Sequence, residues 1–303
     1  PIAKRALEIA AAGGHNVLMH GPPGSGKTLL ARALTSILPP LTVDEKIELT
    51  NIYGSAGLNK GQIISQRPVR HPHHGASAVA LIGGGSNPRP GEVTLAHRGV
   101  LFLDEFPEFP RNVLEALRQP LEDGVVTVSR AKNTFIFPAQ FILVAAKNPC
   151  PCGNSGSENL VCSCTAAQVQ RYSTKISGPL LDRIDLHIEV PRLPYNEYSK
   201  PTNTDSSKTI RNKVIQARKL QHARFKGSKV NAHMKSKELK LLCVLGSESE
   251  KILALSADTH HLSGRAIHRI LKVARTIADL AGSETIETHH LTEALSFRPK
   301  PVS

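Results

Sequence analysis

The stretch NVLMHGPPGSGKTLLARALTSIL, residues 16–38, limits the possible folds more than any other part of the chain. An apolar run at Asn16–His20 leads into Gly21, Pro22, Pro23, Gly24, Ser25, Gly26, Lys27 and Thr28, which match G-x-x-x-x-G-K-[ST]. A helical pattern follows and stops at Pro39–Pro40. Glycines let such a loop curl so that its N–H groups face phosphate oxygens, with the positive end of the following helix behind them. Lys27 would neutralise the β- and γ-phosphates of a bound nucleotide, and the Thr28 hydroxyl would hold Mg²⁺.

Three more apolar runs follow: VLFLDE (Val100–Glu105), FILVAAKN (Phe141–Asn148) and DLHIEV (Asp185–Val190). Runs of this length, separated by helix-like stretches, predict an α/β domain whose parallel sheet is covered on both faces by helices. The Pro, Tyr, Asn, Thr and Ser content around residues 195–207 reads as a linker. Beyond it the pattern is helical, with Ile270, Val273, Ile277 and Leu280 at core-stripe spacing, Ser263 as an N-cap and Gly282 as a stop. The expected organisation is a nucleotide-binding domain over residues 1–194, a linker over 195–207 and an all-α lid over 208–303. The chain begins without Met, and PIAKRALEIAAAG looks like a helix entered mid-chain, so a fragment of a longer protein is expected.

The phosphate loop gives meaning to acids that would be weak signals alone. Asp104 would bind Mg²⁺, and Glu105 would orient and deprotonate an attacking water. Asn148 ends the third run, which should lie beside the Asp104 strand and bring its amide to the γ-phosphate; an Asn opening a turn before Pro149 is the plainer alternative. Arg183, in GPLLDRIDL, could meet a neighbouring subunit's ATP. Arg265 opens a helix, where a cation opposes the helix dipole and needs a compensating contact. Both arginines also fit ordinary surface ion pairs.

Cys150-x-Cys152 and Cys162-x-Cys164 face each other across a polar loop. Two close pairs suit a tetrahedral structural Zn²⁺, and free thiols are the alternative. Cys243, in LKLLCVL, reads as a core residue. His71, His73 and His74 have no acid or Cys near them in sequence, which favours packing or a loop role over metal. No apolar run is long enough to cross a bilayer and no signal peptide is visible, so a cytoplasmic protein is expected. The formal charge is +13, and residues 200–275 carry 17 Lys and Arg against five Asp and Glu. Such a segment suits an anionic partner such as nucleic acid or, more plainly, a solvated helical face.

Together these residues resemble an AAA+ ATPase. RPVRHPHHGASAVALIGGGSNPRPGEVTLAHRGVLFLDEFPEF, NPCPCG and SGPLLDRIDLHIEVP resemble the magnesium-chelatase-like ComM/YifB family, related to chelatase ATPase subunits and, more distantly, to MCM helicases. The resemblance implies a homo-hexameric ring with ATP between subunits, and a Lon-protease-like domain preceding the stretch seen here. It makes Asn148 the first sensor, Arg183 the arginine finger and Arg265 the second sensor, acting in cis or in trans. It also implies loop insertions at about 66–92 and 125–137 that point to a central pore. Arg67, Arg70 and Arg89 on the first and Arg130 and Lys132 on the second would contact DNA. The implied activity is ATP hydrolysis with Mg²⁺ driving a DNA motor, as in branch migration. The alternatives are a chelatase-type ATPase that drives Mg²⁺ insertion by a partner enzyme, and a nucleotide switch without turnover; the complete hydrolytic set speaks against the switch.

Overall fold

A computed structural model describes residues 2–59, 61–85, 88–129, 134–156, 160–192 and 205–298. A five-stranded parallel sheet forms the centre. Its strands are β1 (Val17–His20), β2 (Val69–Arg70), β5 (Val100–Leu103), β8 (Ile142–Lys147) and β9 (Leu186–Glu189), in the order β2-β5-β8-β1-β9. Two antiparallel ladders stand apart from it: β3 (Gly83–Gly84) with β4 (Arg89–Pro90), and β6 (Val125–Ser129) with β7 (Thr134–Pro138).

The period-two geometry of a strand divides the sheet residues between two cores. Val17, Met19, Val100, Phe102, Val144, Ala146, Leu186 and Ile188 belong to one cluster. Leu18, Leu101, Leu103, Leu143 and Ala145 belong to the other. Both faces are buried, which is why these strands read as unbroken apolar runs.

The first cluster is shared with α1 (Ile2–Gly13), α2 (Lys27–Ile37) and the C-terminal helices α10 (Ser207–Phe225), α11 (Ser236–Leu242), α12 (Ser247–Thr259), α13 (Gly264–Ala281) and α14 (Thr288–Ser296). Helix α3 (Val43–Ser55) lies between these groups in sequence and starts with a capping box on Thr42 and Glu45. The second cluster is covered by α4 (Ala78–Ile82), α5 (Glu92–Leu95), α6 (Arg111–Ala116), α7 (Arg118–Asp123) and α9 (Gly178–Leu181); α8 (Ala166–Ser173) precedes α9.

Helix α1 ends buried, and its last carbonyls need donors. Arg218 donates to the Ala11 carbonyl at 2.8 Å and Gln221 to that of Ala12 at 3.0 Å. Two side chains of α10 thus cap α1 and tie the C-terminal helices to the sheet layer. Ser263 caps α13 by accepting the N–H of Ala266 at 3.2 Å, and Ile270, Val273 and Ile277 are buried along its inner face.

A buried polar chain adds a second tie. Asp185 accepts from Arg269 Nη1 at 2.6 Å and lies 3.1 Å from His15 Nδ1. His15 reaches Thr276 Oγ1 at 2.8 Å, Asn231 donates to the same hydroxyl at 3.0 Å, and Asp279 holds Asn231 at 2.8 Å. Each member has a partner, the condition under which a buried network adds order instead of instability.

Val69–Arg70 forms an edge strand of the main sheet, paired with Val100–Leu101, and the segment set apart is the Gly83–Pro90 ladder between α4 and α5. Among the described residues, no helix is long and apolar enough to cross a membrane.

Candidate active site

The phosphate loop leaves β1 at Gly21 and enters α2 at Lys27. Gly24 and Gly26 hold φ of 75° and 88°, left-handed values that side chains resist. The buried Lys27 ammonium donates to the carbonyl oxygens of Gly21 at 2.7 Å and Pro22 at 2.9 Å, and to Asn148 Oδ1 at 3.1 Å. Burial, opposed by the Asp104 carboxylate, lowers its pKa from the ordinary lysine value. A desolvated ammonium held by neutral oxygens gains when charged phosphate oxygens replace them.

Thr28 Oγ1 donates to Asp104 Oδ2 at 3.0 Å. A hydroxyl and a carboxylate this close form the hard-oxygen pair that Mg²⁺ takes from a protein while keeping several of its waters. Asp104 Oδ1 accepts the N–H of Glu105 at 2.9 Å. Glu105 has left-handed backbone, φ 49°, which turns its carboxylate out of the line of β5 into a half-exposed position. There Oε2 lies 3.1 Å from His74 Nδ1. His74 stacks on His73, ring centroids 4.0 Å apart, and meets Phe109 edge-on.

Asn148 follows β8, which lies between β5 and β1. The sheet therefore delivers Asp104, Asn148 and the phosphate loop to the same end. Tyr172, whose phenol burial pushes up to about 12, meets the backbone of Asn148 and fixes its position from α8.

Arg183 and Arg265 lie elsewhere. Arg183 precedes β9 and Asn16 precedes β1, and the Asn16 amide donates to the Arg183 carbonyl at 3.1 Å, so both mark the opposite end of the sheet. Arg183, Arg265, Arg269, Lys272 and Glu122 line one cavity of about 560 Å³, and no residue of the phosphate loop reaches it. Arg183 donates to the Pro179 carbonyl at 2.6 Å and pairs with Glu122, while its Nε is buried with no hydrogen-bond partner among the described residues. Burial, then the neighbouring guanidinium groups of Arg118, Arg265 and Arg269, lowers its pKa. Arg265 is exposed. The cavity is lined by these cations together with Glu122, Asp123, Asp182 and Asp185.

The four cysteines come together. Their sulfurs all lie within 4.8 Å of one another, with Cys150–Cys152 at 3.3 Å, Cys150–Cys162 at 3.7 Å and Cys152–Cys162 at 3.6 Å. The N–H of Asn154, the Cys150 thiol and the N–H of Ser163 point at the Cys152 sulfur and pull its thiol down to about 5. Cys243 is buried in the helical core, and burial pushes its thiol up to about 12.

The basic residues expected at DNA divide. Arg67 donates to the carbonyls of Pro39 and Arg98 and pairs with Glu45 at 2.9 Å, and Arg70 pairs with Glu92 at 2.6 Å. Both guanidinium groups are thus paired with carboxylates inside the chain. Arg89 is exposed on β4. Arg130 and Lys132 lie outside the described residues.

Sequence reasoning missed the roles of His74 and Glu122, and of Arg192, which reaches the Pro23 carbonyl at 3.4 Å. No pattern in the sequence signals the His74 contact, which comes from the pairing of β2 with β5. Arg70 pairs with Leu101 in the β2–β5 register, and His74 and Glu105 each stand four residues beyond these partners.

The profile described as magnesium chelatase, subunit ChlI, matches residues 1–198, and that of the same subunit's C-terminal region matches residues 204–298. The chain belongs to the magnesium-chelatase ChlI family. Within it the chain is a homologue of competence protein ComM of Haemophilus influenzae, 48% identical over 302 residues, and of the uncharacterized protein YifB of Escherichia coli, 47% identical over 300 residues. These alignments cover 98% and 97% of the chain and 58% of each relative, so the chain spans little more than half of their length. The magnesium-chelatase subunit ChlI of Euglena gracilis is 28% identical over 161 residues, covering 44% of the chain and 45% of that protein. The site is accordingly that of a ComM-like, chelatase-family ATPase domain.

Proposed function

We propose that this chain is the motor of a homo-hexameric ring that hydrolyses ATP with Mg²⁺ and acts on DNA in the cytoplasm, as in branch migration during recombination. The observation that carries the reading is the separation of the two charged sets. Lys27, Thr28, Asp104, Glu105 and Asn148 gather at one end of the sheet, and Arg183 and Arg265 line a cavity at the other. An arginine pair that cannot reach its own phosphate loop is suited to a neighbour's nucleotide, which makes both the finger and the second sensor act in trans. A ring closes such head-to-tail contacts.

In this reading the loop Gly21–Thr28, through the N–H groups that follow Pro23, and the Lys27 ammonium hold the β- and γ-phosphates. Mg²⁺, on Thr28 and Asp104, would offset the charge that develops on the transferred group. Glu105 leaves His74 and accepts a proton from the attacking water, while the Asn148 amide holds that water or the γ-phosphate. Arg183 of the adjacent subunit exchanges Glu122 for the γ-phosphate. The four cysteines hold a structural Zn²⁺.

The DNA component is supported by the relative named a competence protein, by exposed Arg89, and by the basic residues 200–275. The family description favours a second reading, an ATPase partner of a metal-inserting enzyme. Subunit mixing tests the shared site. Arg183→Ala and Glu105→Gln chains should each be nearly inactive alone. Mixed, they should recover activity at interfaces where an intact finger meets an intact base. Wild-type turnover by an assembled Arg183→Ala ring would remove the finger role.

A further inference from the structure

The cysteine cluster lies against the phosphate loop, and this contact has no part in the chemistry above. Cys150 stands two residues after Asn148, whose side chain holds Lys27. The chain turns at once, with the N–H of Gly153 donating to the Cys150 carbonyl at 3.0 Å. Gly153 has φ of 83°, and a Cβ added there would sit 2.4 Å from Cδ and 2.5 Å from Cγ of Pro23. The cysteine-loop backbone therefore packs directly on the proline ring at the second variable position of the phosphate loop. Arg192 holds the carbonyl of the same proline.

The cluster itself can hold a metal, its four sulfurs all lying within 4.8 Å of one another. A disulfide needs about 2.05 Å between sulfurs. Four thiolates around Zn²⁺, each at about 2.3 Å, stand about 3.8 Å apart, and the three distances of 3.3, 3.6 and 3.7 Å lie near that value. The N–H of Ser155 donates to the Cys150 sulfur at 3.3 Å, the kind of backbone bond that stabilises a metal thiolate. Apolar burial does little for the rest of the loop, since Val161 is 92% exposed and Leu160 45%. A tetrahedral all-sulfur site selects Zn²⁺ or iron among common metals, and a purely structural loop favours redox-inert zinc.

We propose that Zn²⁺ on Cys150, Cys152, Cys162 and Cys164 makes this loop a brace for the phosphate loop, holding Pro23 and Asn148 so that nucleotide affinity depends on the metal. The proposal rests on the ATP and zinc readings above. With the metal bound, the Cys150–Gly153 turn is fixed at both ends and Pro23 meets a rigid wall. Without it, only a turn and a few thiol contacts hold the wall, and the phosphate loop must be ordered by the nucleotide itself.

The test uses the full chain and three measurements. Elemental analysis of protein purified without added metal should give one zinc per chain, and Co²⁺ substitution should give the absorbance of a tetrahedral thiolate site. Titration with a fluorescent ATP analogue in Mg²⁺ should show about tenfold weaker binding after the zinc is stripped, restored by one equivalent of Zn²⁺. Gly153→Ala, which leaves all four thiols but drives a methyl into Pro23, should keep its zinc and bind nucleotide several-fold more weakly. It decides the case even if the stripped chain unfolds. Zinc in the protein as purified, with nucleotide affinity unchanged on stripping or, where the stripped chain unfolds, unchanged in zinc-loaded Gly153→Ala, would overturn the brace and leave the zinc and ATP sites standing. Absence of zinc and of a Co²⁺ thiolate spectrum would overturn the metal site and the brace together, while nucleotide binding would still report on the ATP site. No nucleotide binding by zinc-loaded wild-type protein would overturn the ATP reading and the brace, leaving the zinc site.

Discussion

His74 Nδ1 lies 3.1 Å from Glu105 Oε2, although 31 positions separate the two residues and they leave different strands. The contact joins the segment after β2 to the carboxylate proposed to activate water. It follows from the sheet order, because β2 pairs with β5 and the two residues stand at matching distances beyond the pair.

A carboxylate engaged by an imidazole is not free to take a proton from water. His74→Ala should therefore raise basal ATP turnover, by about two- to fivefold, with nucleotide affinity unchanged, since the ion pair and ring contacts of His74 are with Glu105, His73 and Phe109. Steady-state kinetics beside a nucleotide titration separate the two quantities. A fall in kcat at constant affinity would show instead that His74 aims the base.

Lys27 and Glu105 should fail differently. Removing the buried ammonium deletes charge-assisted bonds to phosphate, each worth about 1.5–3 kcal/mol, so Lys27→Ala should weaken nucleotide binding roughly 100-fold. Glu105 makes its side-chain contact with His74, away from Lys27. Glu105→Gln should bind ATP normally and stall before hydrolysis, visible as retained nucleotide in a single-turnover assay.

The centre of this fold is legible because its strands are buried on both faces, and such strands advertise themselves as apolar runs. Val100–Leu103 and Ile142–Lys147 are of this kind, and once the phosphate loop is placed, Asp104 and Asn148 follow from adjacency. Val69–Arg70 is not legible. RPVRHP has neither alternation nor an apolar run, and the strand exists because the edge of β5 needs partners, with the Val100 N–H donating to the Pro68 carbonyl at 2.9 Å. The convergence of Arg183 and Arg265 is set by how α13 docks on the sheet through Arg269 and Asp185, and no local pattern encodes it. The ion pairs that occupy Arg67 and Arg70 are likewise tertiary. A basic residue in sequence states its charge but not whether an acid has already claimed it.

Acidification should destabilise the fold in a window set by buried histidines. His97 is 1% exposed, and burial, then Arg98, lowers its pKa to about 4 from an ordinary 6.5. Its Nδ1 accepts the Gln140 N–H at 3.0 Å, a bond that a proton there would break. Burial also lowers His187 and His233 to about 4. The unfolded chain takes up these protons near pH 6.5 and the folded chain only near pH 4, so stability is complete above the window and falls as pH falls through it. Each such group contributes at most about 1.4 kcal/mol per pH unit. Burial alone would raise the Asp185 pKa, but Arg269 and His15 hold it well below the usual carboxylate range, so its contribution persists until pH drops below the ordinary 3.8. Calorimetry should give a Tm that declines across this window, and His97→Gln should lessen the slope. A Tm unchanged there would mean that these histidines protonate without unfolding.

DNA binding separates a motor from a chelatase partner. The β6–β7 ladder pairs Ser129 with Thr134; Val126 anchors its base in the core, while Phe135 and Ile136 are 36% and 66% exposed. Arg130 and Lys132 fall between its strands in the sequence. These two residues, with Arg89 exposed on β4, are the basic groups proposed to meet phosphate. Such groups read charge and not base sequence, and their binding weakens steeply with salt because it releases counterions. Fluorescence anisotropy on single-stranded, duplex and branched DNA should therefore show ATP-favoured binding with little sequence preference and a steep salt slope. Removing one phosphate-binding cation should reduce that slope by about one. Repeated around a ring, the double substitution Arg130→Ala with Lys132→Ala should flatten the slope and weaken binding at least tenfold. ATP turnover without DNA should be retained, since no described residue of the hairpin hydrogen-bonds the phosphate-site residues. An assembled, ATP-bound ring that binds no DNA at low salt would remove the DNA motor and leave the chelatase-type partner as the better account of the same ATPase.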